Sequence, residues 1–264
     1  MLTSSSPVAA LSSGPTASAC RLSVVVPVLN EQDNVEPLVG EIRAALAGRE
    51  PYEIVYVDDG STDETSRRLE SLARAGAPLR FIRHARRCGQ SAALATGIRV
   101  AMGRVVATLD GDGQNDPADI PPLLDVFERE TRHTGVDFLL VTGLRHRRRD
   151  SWMKRISSRI ANAVRARLLG DATADTGCGL KVFARAAFMD MPRFDHMHRF
   201  LPALMLRRGG RVVSVPVNHR PRAKGRSKYG TLDRLAVGLV DLFGVMWLMR
   251  RGKIPEIIES AKEH

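Results

Sequence analysis

Cysteine is scarce in this chain: three residues, Cys20, Cys88 and Cys178, odd in number and far apart. That excludes a disulfide framework, points to a reducing compartment, and leaves no Cys/His spacing that matches a zinc site. His196 and His198 sit two apart without companion ligands, which gives no reason to assign them a metal. Aromatic residues make up only 5% of the sequence, too few for the stacking platforms of a nucleic-acid binder. No run of 18 or more uncharged apolar residues occurs, so no membrane span is expected. The first twenty residues carry no charge and lack both the basic start and the apolar middle of a signal peptide. Their Ser, Ala, Pro and Gly content reads as a disordered tail.

Positive charge is plentiful instead. Forty Lys+Arg against 29 Asp+Glu give a net charge of +11, which calls for an anionic partner. Nucleic acid, phosphorylated metabolites and an acidic membrane surface all qualify. The 264 residues suffice for one large domain, or one domain with an appendage.

From residue 22 the hydrophobic pattern is regular. β-Branched runs at 22–28, 52–59, 79–84 and 104–110 alternate with segments of helical periodicity near 34–47, 63–75 and 90–102. Continuous Val/Ile strands separated by helices predict a parallel sheet covered on both faces, with ligands at the carboxyl ends of the strands. Polar clusters follow three of those ends: "PVLNEQDN", "DDGSTDET" and "DGDGQNDP". Further on, strands are expected at 136–143, 179–185 and 211–220, a basic helix at 151–170 and another helix at 198–210.

Within "TLDGDGQNDP" (108–117), Asp110 and Asp112 are separated only by Gly111. Like charges so close repel, so either a positive third party joins them or the stretch is an ordinary Asp-Gly surface turn. Three such clusters at one sheet edge weaken the turn interpretation.

The ordered segments "VVVPVLNEQDNV", "VYVDDGSTDET", "RRCGQSAALATG", "TLDGDGQNDPADIPPLL", "DTGCGLKVFAR" and "RAKGRSKYG" resemble those of family 2 glycosyltransferases. More narrowly, they are similar to the polyprenyl-phosphate glycosyltransferases, the group of dolichol-phosphate mannose synthase, across roughly residues 22–250. The resemblance implies a GT-A fold, an open and mostly parallel α/β sheet with helices on both faces. It also implies inverting transfer of a sugar from a UDP- or GDP-linked donor to a polyprenyl (undecaprenyl or dolichyl) phosphate. On this basis residues 21–230 form the catalytic domain, 1–20 the tail, and 231–264 an amphipathic membrane-proximal helix with a polar end.

The resemblance also implies site residues. Asp110 and Asp112, with Gln114 as a third position, would hold Mg²⁺ or Mn²⁺, hard cations suited to oxygen ligands and to donor phosphates. Gly111 would leave space for the donor against the backbone. Pro27, Leu29, Glu31 and Asp59 match donor-contacting positions. Glu31 also fits an acid at a helix start, and Asp58–Asp59 a turn with Ser61 or Thr62 capping the next helix. "RRCG" has Arg87 where the family usually has asparagine, so that loop carries no assignment.

The charge then falls on the acceptor side. Residues 143–167 hold nine Lys/Arg with only Asp150 as an acid, and 207–228 hold eight with none. Arg145 and Arg155 match acceptor-phosphate positions, and Arg222 and Lys228 a loop that closes over donor and acceptor phosphates. A phosphate acceptor is already anionic and needs no general base. Were the acceptor a glycan hydroxyl instead, Asp175 would be the base candidate.

In the apolar segment 231–253, Arg234, Gly238, Asp241 and Gly244 collect near one helical stripe, and Trp247 and a basic cluster lie at its end. Its charges oppose a span and favour an interfacial helix, a helix packed on the protein, or an oligomer interface. The expectation is a peripheral protein on the cytoplasmic membrane face, alone, as a homo-oligomer or beside a separate membrane-protein partner. Two rivals are a family 2 transferase building cell-envelope glycan and, from another class, a basic nucleic-acid module. The acidic clusters and sparse aromatics exclude nucleic acid as the expected partner.

Overall fold

A computed structural model describes residues 21–135, 138–145, 165–221 and 231–251, with backbone alone over 231–237. The expected N-terminal tail, most of the basic helix at 151–170 and the polar end after 251 lie outside the described residues.

Seven strands make one sheet: β1 (Leu22–Val28), β2 (Tyr52–Asp58), β3 (Leu79–Arg83), β4 (Val105–Thr108), β5 (Leu139–Arg145), β6 (Lys181–Ala184) and β7 (Arg211–Val217). Their spatial order is β3-β2-β1-β4-β6-β5-β7. β1 pairs in parallel with β2 and β4, β2 with β3, and β5 with β7. β6 runs against both neighbours, β4 and β5. The chain moves outward from β1 through β3 and then returns to the other side of β1 as β4. That reversal opens a crevice at the carboxyl ends of β1 and β4, where ligands bind in open α/β sheets.

Helices α1 (Gln32–Ala45), α2 (Thr65–Arg74), α3 (Gln90–Val100) and α4 (Ile120–Thr134) connect the strands. Alternate strand residues sort to two cores, as the pleat requires. Val24, Val26, Ile54 and Tyr56 pack with Leu38, Ile42 and Phe127 on one face. Val25, Val55 and Val106 pack with Ile98, Phe183 and Leu204 on the other. All these strand residues are fully buried, each contributing roughly 1.5–3 kcal/mol.

Two elements differ from the sequence pattern. The fifth strand starts at Leu139 and continues to Arg145, which sets Arg145 at the strand end. The helix expected over 198–210 is a 3₁₀ turn at Met197–Arg199 and then α6 (Leu201–Arg207), with Pro202 in its first turn. Proline fits there because a first-turn N–H has no intrahelical partner. Between them and β6 lies the short α5 (Arg185–Met189). A last helix, α7 (Thr231–Arg251), lies against the second core through Leu242, Val245, Met246 and Met249. Among the described residues no helix is long and apolar enough to cross a membrane.

Candidate active site

The β1–α1 and β2–α2 loops are stitched together by side chains that the sequence reading grouped as polar clusters. Asn30, at φ 53, donates its N–H to Ser61 Oγ at 2.8 Å and accepts the Thr62 N–H at 2.8 Å on its side-chain oxygen. The Glu31 N–H donates to Thr65 Oγ1 at 2.9 Å. Glu31 occupies the N-cap position of α1 but caps no backbone donor, and its carboxylate accepts from Asn34 Nδ2 at 2.7 Å. The two aspartates after β2 divide their work. Asp58 is fully buried and makes the turn, accepting from the Ser61 N–H and the Ser66 hydroxyl. Asp59 accepts the N–H groups of Cys88 and Gly89 at 2.8 and 2.7 Å, and its Oδ1 lies 2.8 Å from His84 Nδ1. A Cβ on Gly60 would come within 2.7 Å of the Arg86 carbonyl carbon, so glycine lets the 86–89 loop lie directly on this turn.

The stretch 108–117 is both turn and site. Asp112 accepts the Gln114 N–H at 3.1 Å, Gly113 takes a positive φ of 72°, and Asp116 caps the 3₁₀ turn Pro117–Asp119 through the Ala118 N–H. Asp110 and Asp112 nevertheless line a cavity of about 300 Å³ together with Pro27, Leu29, Glu31, Asp59 and Gly111. Sequence positions from three strand ends thus converge on one space. Gly111 has a further reason besides the one expected. A Cβ there would collide with Val28 and approach the Pro27 carbonyl at 3.0 Å, so the missing side chain lets β1 and β4 close up at their ends. Gln114 is not among the residues lining that cavity.

Electrostatics mark Asp110. Burial, and then the neighbouring Asp112, push its carboxyl up to about 6, against the counter-pull of Lys181, Arg145 and the Gln90 hydrogen bond. Gln90 Nε2 donates to Asp110 Oδ1 at 2.8 Å. Two carboxylates that oppose each other's ionisation, with only oxygen donors, fit a hard divalent cation.

A second cavity of about 310 Å³ shares Asp110 and Gln90 with the first. Its walls carry Arg145, Lys181, His198 and Arg199. Arg145 holds Asp175 through Nε–Oδ2 at 2.6 Å and Nη2–Oδ1 at 2.7 Å. Burial alone would lower its pKa, but the bond and charge of Asp175 outweigh that and raise it. Lys181, 4% exposed, donates to the Thr176 and Cys178 carbonyls, and burial holds its pKa below the ordinary range for lysine. Burial likewise drives His198 down to about 3, with Lys181 and Arg199 adding to it. Ser91 Oγ lies 2.8 Å from His198 Nδ1.

Lys181, Gln90 and His198 carried no role in the sequence. Lys181 had a signal, a lone cation between the buried apolar residues Leu180 and Val182. Gln90 sat in the loop set aside because of Arg87, yet Arg87 also lines the first cavity. Arg155, Arg222 and Lys228 lie outside the described residues. Part of the basic excess is structural. Arg220 pairs with Glu41 and Asp116 at 2.6 Å each, Arg211 with Glu130 at 3.3 Å, and Arg208 with Asp190. Arg165 binds Thr173, Thr176 and Asp171.

The sequence profile of Glycosyl transferase family 2 matches residues 23–191. Dodecaprenyl-phosphate galacturonate synthase of Rhizobium johnstonii is 38% identical over 234 residues, 87% of this chain and 67% of its own. Undecaprenyl-phosphate 4-deoxy-4-formamido-L-arabinose transferase of Edwardsiella ictaluri is 35% identical over 213 residues, 80% of this chain and 63% of its own. The chain therefore spans about two thirds of the length of these relatives. Among solved structures, glucosyl-3-phosphoglycerate synthase from Mycobacterium tuberculosis, in complex with Mn²⁺, UDP and glucosyl-3-phosphoglycerate, aligns with TM-score 0.63 and 21% identity, over 88% of this chain and 80% of that one. A mannosyltransferase from Pyrobaculum calidifontis, in complex with GDP-Man and Mn²⁺, aligns with TM-score 0.63 and 22% identity, over 92% and 68%. These likenesses establish the GT-A fold.

Proposed function

The chain belongs to glycosyl transferase family 2, and from that premise we propose that it transfers a sugar from a nucleotide-sugar to a polyprenyl phosphate at a membrane surface. The observation that carries this is the meeting of two cavities at Asp110, one lined by carboxylates and the other by Arg145, Lys181 and Arg199. The first suits a metal-bridged nucleotide donor, the second an anionic acceptor. The polyprenyl-phosphate names of the 38% and 35% identical relatives support the same acceptor class.

In this reading Glu31 and Asp59 accept donor N–H or hydroxyl groups, and Pro27, Leu29 and Gly111 wall the nucleoside. Asp110 and Asp112, with Gln114 as the further ligand, would hold Mg²⁺ or Mn²⁺, which supplies charge neutralisation and Lewis acidity toward the leaving diphosphate. Arg145, whose Nε and Nη2 hold Asp175, turns its remaining N–H groups to the acceptor phosphate, and Arg155, Arg222 and Lys228 are assigned to the same phosphates. A phosphate monoester, with a second pKa of about 6, attacks without a general base. The engagement of Asp175 with Arg145 agrees, since it leaves that carboxylate a positioning part and disfavours a glycan-hydroxyl acceptor.

The outward face of α7 supports a peripheral site on the cytoplasmic membrane face. Leu239, Val240, Phe243 and Trp247 are exposed there, beside Arg250 and Arg251. The deciding experiment incubates the purified chain and a short polyprenyl phosphate with a panel of UDP- and GDP-sugars and Mg²⁺ or Mn²⁺, and reads the lipid product by mass. One sugar should appear on the lipid and vanish with excess EDTA or with Asp112→Ala. Transfer that persists undiminished in EDTA, or that goes only to a glycan hydroxyl, defeats the proposal.

A further inference from the structure

We propose that Asp59, His84 and Cys88 form a second cation site, selective for zinc-class metals, whose occupation excludes the nucleotide donor. One ligand atom from each residue lies within 4.8 Å of the other two. The three are 25 and four residues apart in sequence, and a search for Cys/His spacing misses them because the third ligand is an aspartate.

The surroundings are built as an outer shell builds a metal ligand. His84 Nε2 lies 3.0 Å from Thr96 Oγ1, which fixes the ring and turns Nδ1 toward Asp59 Oδ1 at 2.8 Å. The 2.8 Å contact is a hydrogen bond; a cation would take the place of its proton, with Thr96 accepting from Nε2 and the Nδ1–Oδ1 pair opening to ligand separation. Asp59 is held by the Cys88 and Gly89 N–H groups, so the same clamp anchors the backbone from which the thiol projects. Asp59 and His84 are nearly buried, at 5% and 15% exposure of the side chain, whereas Cys88 is exposed.

Bond lengths of about 2.0 Å to N and O and 2.3 Å to S set ligand separations near 3.3–3.7 Å. The Asp59–His84 side opens by about 0.5 Å on that scale, and closing the rest by about 1 Å falls to the exposed Cys88 side chain, whose Sγ donates to the Arg86 carbonyl at 3.3 Å. Metal binding releases the thiol proton to solvent, and thiolate plus carboxylate balance the two positive charges. The N, O, S donor set favours Zn²⁺, while the oxygen-only pair Asp110 and Asp112 favours Mg²⁺ or Mn²⁺. The two cations therefore sort between two places, which meet the donor cavity at Asp59 and at Asp110 with Asp112. Because Asp59 lines the donor cavity, a cation on it takes the carboxylate that the donor requires. This exclusion rests on the donor role proposed above for Asp59.

Cobalt(II) serves as the spectroscopic probe of the full chain. Titration without nucleotide should produce a thiolate-to-cobalt charge-transfer band that stoichiometric Zn²⁺ abolishes. Cys88→Ser should remove the band while melting as the wild type does, and His84→Gln should weaken cobalt affinity at least about tenfold, the lower end for a perturbed metal shell. Saturation with whichever of UDP or GDP the chain binds by calorimetry should weaken Zn²⁺ binding at least tenfold. Absence of the band, or its survival in Cys88→Ser, overturns the site whatever Asp59 does for the donor. A Cys88-dependent band that ignores a nucleotide bound by calorimetry overturns the exclusion and locates the fault in the donor role of Asp59.

Discussion

Arg145 and Asp175 form a two-pronged ion pair with side chains only 12% and 9% exposed. Removing the guanidinium takes two short hydrogen bonds and the opposite charge from a buried carboxylate, a loss of about 3–5 kcal/mol in comparable pairs. Arg145→Ala should therefore melt earlier than the wild type. It should also lose roughly ten- to a hundredfold in acceptor efficiency, the scale of a charge-assisted hydrogen bond of about 1.5–3 kcal/mol. Donor affinity, read by nucleotide titration, should stay unchanged. Asp175→Asn separates positioning from base catalysis: slowed but measurable transfer to a lipid phosphate fits positioning, complete loss fits a base. Wild-type acceptor efficiency in Arg145→Ala would sink the phosphate assignment.

Gly179 gives a test of Asp110 that removes no ionisable group from the chain. A Cβ at this position would fall inside the Asp110 carboxylate, 2.6 Å from Oδ1 and nearer still to the other atoms. Gly179→Ala should displace Asp110 from both cavities and reduce transfer by about a hundredfold, the scale of losing one preorganised electrostatic partner. Thermal stability should change far less, because the collision can be relieved by moving a half-buried side chain. Gly40→Ala, with nothing within 4 Å of its Cβ and no positive φ, controls for the loss of a glycine. Full activity in Gly179→Ala would mean that the Asp110 position is not required.

The sheet was legible because Val24, Val25 and Val26 announce a strand buried on both faces, and Glu31, Asp59 and Asp110 follow strands whose ends must share an edge. The reason for each residue was less legible. Gly111 serves the closure of β1 on β4, and Asp58 rather than Asp59 makes the turn, because both depend on contacts between segments far apart in sequence. Lys181 and His198 were hidden for the same reason. β6 runs antiparallel and places Lys181 opposite Thr108, at the mouth of β4, a register no local periodicity encodes. Arg220 belongs to the basic run 207–228, but folding gives it Glu41 and Asp116.

His198 predicts a pH signature of stability. Its folded-state pKa is pushed down to about 3 from an ordinary 6.5, so the unfolded chain binds the extra proton across that window. Stability linked to His198 is intact above pH 6.5 and declines as pH falls toward 3. Chemical denaturation at pH 7 and pH 4.5 should show a smaller difference for His198→Gln than for the wild type. An equal or larger difference in the variant contradicts the buried neutral imidazole.

Helix α7 is apolar on two faces, one packed on the second core through Leu242, Val245, Met246 and Met249 and the other turned to solvent. Asp241 reaches His196 at 3.0 Å and Val245 is 1% exposed, whereas Leu239, Val240, Phe243 and Trp247 are 48%, 71%, 65% and 63% exposed. Full burial of such side chains is worth roughly 1.5–3 kcal/mol each. Arg250 and Arg251 add about 1 kcal/mol apiece near an anionic surface. Co-sedimentation with vesicles containing anionic lipid should thus retain the wild type, and Phe243→Ser/Trp247→Ser should lower the partition coefficient by at least about tenfold, which needs only 1.4 kcal/mol. Raising salt should weaken the wild type by screening the arginines, yet leave its apolar share in place. The double variant should keep its melting temperature and its activity on a short, water-soluble acceptor, since neither side chain lines the cavities. Unchanged vesicle binding in the double variant, together with loss of a wild-type dimer by light scattering, would reassign this face to a second copy of the chain.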